Sequence, residues 1–151
     1  MSEFHFYYPV EVRYGDLDPQ GHVNNANFLT YFEQARVQYL INLGLLDRDG
    51  AFVNPGLIIA EARVTYLKPV LFGMDVRIGT GITRLGNKSM TMDYLMVDNA
   101  TGAELARGSI VIVTYDYTTA RTVPVPHNWR KLVRAFEQLP DELEEVGLAS
   151  S

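Results

Sequence analysis

The sequence contains no cysteine, which excludes disulfide bonds, thiolate metal ligands and a thiol nucleophile. It also has no apolar run that approaches the roughly 20 residues of a membrane-spanning helix. The N-terminus lacks the basic start and the apolar stretch of a signal peptide. We therefore expect a cytoplasmic protein that does not associate with membranes.

Basic residues are in the minority, with 13 Lys and Arg against 18 Asp and Glu and a net charge of -5. An acidic chain is a poor non-specific binder of nucleic acid. The three histidines (His5, His22 and His127) are too far apart in sequence to indicate a metal site by their spacing. We expect no nucleic-acid partner, no metal and no other cofactor.

The apolar spacing predicts one long helix over about Ala26–Leu43. Asn24, Asn25 and Asn27 crowd its start, where amide side chains are typical caps, and Gly44 is a plausible C-cap. Its stripe of apolar residues recurs at steps of three and four positions and comprises Phe28, Phe32, Ala35, Tyr39 and Leu43.

Most of the remaining chain alternates between apolar and polar residues, which is typical of antiparallel strands. A short helix is predicted over about Asn128–Gln138, and the apolar run Ser109–Val113 indicates burial on both faces of its strand. The pattern predicts an α+β fold in a single domain over residues 1–151. The predicted strands are Phe6–Arg13, Leu57–Leu67, Asp75–Arg84, Lys88–Val97 and Glu104–Tyr115.

One long helix cannot cover both faces of a five-stranded sheet. The second face and the apolar last strand therefore require a partner, most simply another copy of the chain. We expect a homo-oligomer, either a dimer or a homotetramer.

The segment 14–33 concentrates the residues that can support chemistry. Asp16 and Asp18 lie in a tight turn before the helix, and Gly21 and His22 follow. The free N–H groups of a helix N-terminus can polarise a carbonyl oxygen, and a nearby carboxylate can attack that carbonyl or activate a water. The same residues also fit ordinary turn chemistry, with His22 as a hydrogen-bonded structural residue.

With these residues, the segment 14–33 resembles the signature of the hotdog-fold acyl-CoA thioesterases, specifically the 4-hydroxybenzoyl-CoA thioesterase-like family. Further features of the chain fall where that family has them, so the resemblance covers about residues 6–138 and implies a long helix wrapped by a five-stranded antiparallel sheet. The signature residues are Asp16, Asp18, Gly21, His22, Val23, Asn25 and Phe28; the further features are Tyr66–Val70, Gly73–Asp75, the turn Gly86–Ser89 and Pro126–Trp129.

The resemblance implies that Asp18 is catalytic and that a backbone N–H near Asn25 binds the thioester oxygen. His22 and Asn24 would line the site near the sulfur. Gly21 and Phe28 are also expected beside the substrate.

Other positions follow from the resemblance more loosely. Glu61 lies on a strand that could place it across from Asp18. Lys88 and Ser89 match a turn where relatives bind the phosphates of coenzyme A, but Gly86 and Asn87 stand where such relatives carry two more basic residues.

The resemblance therefore implies an enzyme that hydrolyses the thioester of an acyl-CoA, or of an acyl-carrier protein, to a carboxylic acid and a thiol. Asp18 acts there either as a nucleophile or as a general base. Two other functions fit the same fold: a hydratase or dehydratase, and a non-catalytic module that binds acyl thioesters. The identity of the acyl group cannot be read from the sequence.

Overall fold

The computed structural model describes residues 3–48 and 55–140, so residues 1–2, 49–54 and 141–151 of the expected domain lie outside it. Eight helices and strands make up the described chain. In chain order they are β1 (Tyr7–Glu11), α1 (Ala26–Leu43), β2 (Gly56–Tyr66), β3 (Asp75–Leu85), β4 (Ser89–Asp98), β5 (Glu104–Asp116), β6 (Arg121–Thr122) and α2 (His127–Glu137).

The predicted elements are confirmed to within two residues at each end. α1 has the predicted bounds, and Gly44 ends it in the left-handed conformation with φ of 81°. The sequence did not predict β6 or the single 3₁₀ turn Tyr14–Asp16 that follows β1. Among the described residues, no helix is both long enough and apolar enough to span a bilayer.

The strands form one antiparallel sheet in the order β1-β3-β4-β5-β2, with β6 paired to β5. α1 packs against this sheet, and α2 closes one end of the same core through Trp129 and Val133. This is the hotdog arrangement that the resemblance implies, with five long or medium strands and one additional two-residue strand.

The core lies between α1 and the inner face of the sheet. Phe32 of α1 stacks on Tyr94 of β4, with ring centroids 4.7 Å apart. Gly108 of β5 permits this close approach, because a Cβ atom at that position would lie 2.6 Å from the Phe32 ring. The inward residues of β4 form the floor of the core: Met90, Met92, Tyr94 and Met96 are all buried.

The outer face of the sheet is partly covered by the chain itself, so the expectation that only a partner could cover it was wrong in part. Phe4, in the segment before β1, is buried against Leu95 and Val97 on that face. Glu3 anchors this segment through a two-pronged ion pair with Arg107, at 2.9 and 3.0 Å. The described N-terminal residues thus act as a short arm across the sheet.

The expected burial of Ser109–Val113 on both faces is not found in the single chain. Ile110 and Ile112 are buried against the core, whereas Ser109, Val111 and Val113 are only half-buried on the outer face. The alternation shows that β5 has one fully covered side.

Candidate active site

A short hairpin-like loop between β1 and α1 carries the acidic motif. Leu17 pairs with Val23, and His22 pairs with Leu71 of the segment before β3. Gly21 closes the loop with φ of 88°, a backbone conformation that favours glycine, and donates its N–H to the Asp18 carbonyl. The loop therefore folds back on itself and is held against the 70–71 segment.

Asp16 is a structural anchor of this loop. Its carboxylate is 2% exposed and accepts hydrogen bonds from the Arg13 guanidinium at 2.8 Å and from the Tyr31 hydroxyl at 2.7 Å. Burial alone would raise the pKa of the Asp16 carboxyl, but the hydrogen bonds from Arg13 and Tyr31 outweigh it, so the pKa lies below its usual value. Burial and the Asp16 carboxylate in turn raise the pKa of Tyr31, which keeps its hydroxyl protonated as a donor.

Asp18 has a different environment from Asp16. Its side chain is 19% exposed, and Oδ1 accepts a hydrogen bond from the Gln20 N–H at 2.9 Å. Oδ2 accepts no hydrogen bond from the described residues and lies 3.8 Å from His22 Nδ1, beyond hydrogen-bond distance. Asp18 thus has one carboxylate oxygen that accepts no hydrogen bond within the described residues, with His22 at ion-pair distance and no described lysine or arginine paired with it.

The start of α1 has one unoccupied donor. Asn24 caps the helix by accepting the Ala26 N–H on Oδ1 at 2.9 Å and the Asn27 N–H on its carbonyl. Phe28 N–H donates to the Asn25 carbonyl at 3.2 Å. Among the described residues, nothing accepts a hydrogen bond from the Asn25 N–H, which lies at the positive end of the helix dipole.

The far end of β2 borders this helix start. The Tyr66 hydroxyl donates to the Asn25 carbonyl at 3.3 Å, and the Tyr66 ring meets Phe28 edge-on at 4.9 Å between centroids. Phe28 is buried, so its ring forms a wall behind the helix start. Glu61 is exposed five residues earlier on β2, beside a bulge, and forms no hydrogen bond or ion pair with Asp18 or His22.

Lys88 and Ser89 lie at the other end of the sheet within one chain. Ser89 pairs with Val113 of β5, near the Gly56 end of β2, whereas the Asn25 site adjoins the Tyr66 end. The structure thus places Asp18, Gly21 and His22 in one loop and Asn24, Asn25 and Phe28 at the helix start that follows it, whereas Lys88, Ser89 and Glu61 lie on or beside other strands.

Two residues that hold the loop in place were not predicted from the sequence. Arg13 and Tyr31 hold Asp16, and Asp16 holds the loop through its carbonyl, which accepts N–H groups from Asn24 and Asn27. A tyrosine on the buried face of a predicted helix was the available signal, since a buried hydroxyl needs a partner.

The arrangement has the parts required for addition to a carbonyl group: a partly exposed carboxylate, an imidazole beside it and an uncommitted backbone donor at a helix N-terminus. Among residues 3–48 and 55–140, no three His, Asp or Glu side chains are grouped as they would be around a metal ion.

The profile of the thioesterase-like superfamily matches residues 12–136. A Thermus thermophilus thioesterase, crystallised with coenzyme A and zinc, is 37% identical; the match covers 93% of this chain and 100% of that one, with a TM-score of 0.79.

Two curated bacterial enzymes are also similar in sequence. A 1,4-dihydroxy-2-naphthoyl-CoA hydrolase of Thermosynechococcus vestitus is 30% identical over 121 residues, which is 79% of this chain and 82% of that protein. An acyl-CoA thioesterase of Haemophilus influenzae is 32% identical over 108 residues, which is 67% of this chain and 79% of that protein.

Proposed function

The chain belongs to the thioesterase-like superfamily and is a thioester hydrolase, and we propose that it hydrolyses acyl-CoA through Asp18 and the backbone N–H of Asn25. The observation that carries this proposal is the pairing of an unbonded helix N-terminal donor with a carboxylate that keeps one oxygen free, both in the same loop-to-helix connection.

The Asn25 N–H binds the thioester oxygen. As the carbonyl carbon becomes tetrahedral, negative charge develops on this oxygen and strengthens the hydrogen bond. The helix dipole favours the same charge. Since the donor is a backbone group, the Asn25 side chain is not part of this contact.

Asp18 brings about the attack on the thioester carbonyl by one of two routes. Its free oxygen attacks the carbonyl carbon, expels the thiolate and forms a mixed anhydride that water then hydrolyses, or it takes a proton from a water molecule that attacks directly. In both routes the C–S bond breaks, the carboxylic acid leaves and the thiolate acquires a proton. His22 and Asn24 flank the leaving sulfur.

The activity is tested with a panel of acyl-CoA thioesters and a colorimetric thiol reagent. The protein itself has no cysteine, so every thiol detected comes from the substrate. We expect release of free coenzyme A with at least one acyl class, and an acyl-carrier-protein thioester is tested beside each acyl-CoA. Hydration of an enoyl-CoA without thiol release, or binding with neither reaction, would contradict the proposal.

The assembly is proposed to form through the β2 edge of the sheet. β1, the other edge, is five residues long and interrupted by Pro9, which discourages strand pairing. β2 is 11 residues long, has no proline and exposes half of Ile59. A long edge strand with no proline and an exposed isoleucine favours antiparallel pairing with a second copy.

We expect light scattering to show a dimer or tetramer for the wild type at micromolar concentration. Ile59→Lys places a charge at the β2 edge and should shift the mass towards the monomer. Leu132→Lys is the matched control, because Leu132 is a similarly exposed apolar residue on α2, away from β2. A monomeric wild type, or equal masses for both variants, would contradict assembly through β2.

A further inference from the structure

A groove of about 480 Å³ lies between α1 and the beginning of β2, separate from the Asp18 loop. Two charged residues of α1, Glu33 and Arg36, interrupt its otherwise apolar wall. The apolar side chains are Val37, Leu40, Leu46, Leu57, Ile58, Ile112 and Ile59, the last of which also lies at the β2 edge.

Arg36 is unusual because its charge is buried with few partners. The residue is 8% exposed, and its one hydrogen bond within the described chain runs from Nη1 to the Tyr94 hydroxyl at 3.3 Å. Glu33 Oε2 lies 3.6 Å from Nη2, which is an ion-pair distance but too long for a hydrogen bond. A guanidinium has five N–H donors, and one of them has a hydrogen-bond acceptor within the described chain.

The Glu33 carboxylate also has few partners within the described chain. Its side chain is 62% exposed. Among the described residues, Glu33 forms an ion pair with Arg36 alone. The two side chains therefore present a cationic donor and an anionic acceptor next to each other, with little net charge.

The groove lies along the same boundary between α1 and β2 as the proposed thioester site. Tyr66, at the end of β2, contacts Asn25, whereas Leu57 and Ile58, at the beginning of β2, line the groove with Leu40. α1 and β2 therefore run side by side in opposite directions. Glu33 and Arg36 are eight and eleven residues beyond Asn25, which corresponds to about 12 and 16 Å along the helix axis. A medium or long acyl chain spans this distance.

The chemistry of the groove selects among such chains. Apolar walls favour hydrocarbon. A hydroxyl group both accepts and donates hydrogen bonds, so it can accept from Arg36 and donate to Glu33 at once. A terminal carboxylate would gain Arg36 but meet the like charge of Glu33, and an alkyl terminus would add no hydrogen bond to either side chain.

We propose that this groove is the subsite for the acyl tail, and that Arg36 and Glu33 select acyl thioesters with a hydroxyl group near the far end of the chain. The proposal rests on the proposed thioesterase function and names a substrate class for it. In this assignment Arg36 and Glu33 are specificity residues that contact the tail and take no part in the bond-breaking step.

The test compares kcat/KM for dodecanoyl-CoA with that for its ω-hydroxy and ω-carboxy counterparts, using the purified full-length protein. The wild type should prefer the ω-hydroxy substrate over the alkyl substrate by about tenfold, the size of effect expected for a hydrogen bond to a charged group. Arg36→Met keeps the apolar stem and should bring this ratio close to one. Lys131→Met, an exposed lysine on α2, is the matched control and should keep the wild-type ratio.

A second variant keeps the test decisive if Arg36→Met does not fold. Glu33→Gln removes the like charge from an exposed position and should raise kcat/KM for the ω-carboxy substrate relative to the ω-hydroxy one. Equal kcat/KM values for the three substrates in the wild type, or ratios that neither variant changes, would overturn the tail subsite while leaving the thioesterase intact. Absence of thiol release from every acyl-CoA would instead overturn the proposed function.

Discussion

Asp18→Asn is expected to lower kcat for acyl-CoA hydrolysis by about 10²–10⁴-fold, the usual contribution of a positioned acid–base group. The substitution keeps an oxygen that can accept the Gln20 N–H, so the loop should retain its structure. It removes the negative charge that either attacks the carbonyl or deprotonates water. Because the oxyanion donor and the acyl groove are unaltered, the dissociation constant for acyl-CoA should change little.

Steady-state kinetics and equilibrium binding on the same preparation check this result. Asp47→Asn is a matched control, since Asp47 is an exposed aspartate after α1 and outside the proposed site. Asp16→Asn is not suitable for that purpose, because Asp16 is buried and its loss would alter the loop itself. An Asp18→Asn protein with wild-type turnover would remove Asp18 from the mechanism.

Asn25→Pro should lower kcat by about 10²–10³-fold, the effect of losing one oxyanion donor in other hydrolases. Asn25 has φ of -50°, close to the value that proline imposes, and its N–H has no partner within the described chain. Proline is also well tolerated at the beginning of a helix. The variant therefore deletes the proposed donor with little other change to α1.

Asn25→Ala is the matched comparison, because it removes the side chain but keeps the N–H. Its kcat should stay within a few-fold of the wild type, and thermal melting should show that both variants fold. If Asn25→Pro and Asn25→Ala had equal kcat values, the backbone N–H of Asn25 would not be the oxyanion donor.

The fold was largely predictable because its elements have strong periodic patterns. α1 has an apolar stripe bounded by Asn25 and Gly44, and both ends were predicted correctly. The alternating strands were found to within two residues, whereas β6 has only two residues and no pattern of its own. The arm across the outer face was not predictable, because Phe4 precedes the first strand and its contacts with Leu95 and Val97 depend on the folded sheet.

The candidate site was predictable only as far as local sequence determines it. The turn at Gly21 and the cap at Asn24 are local, and both lie where the motif indicated. The different environments of Asp16 and Asp18 depend on Tyr31, which is 15 residues beyond Asp16, so spacing could not distinguish the buried carboxylate from the partly exposed one. The placement of Lys88 depends on sheet order, which a linear motif does not contain.

The arm formed by Glu3 and Phe4 limits how two sheets can stack back to back. Over Leu95 and Val97 the outer surface is already occupied, so a second sheet could approach there only after Phe4 was displaced. Val111 and Val113 on β5 remain half-buried on the same side. Any larger assembly that stacks sheets must therefore be offset towards β5 and β2, and shortening the chain before β1 would remove that restriction.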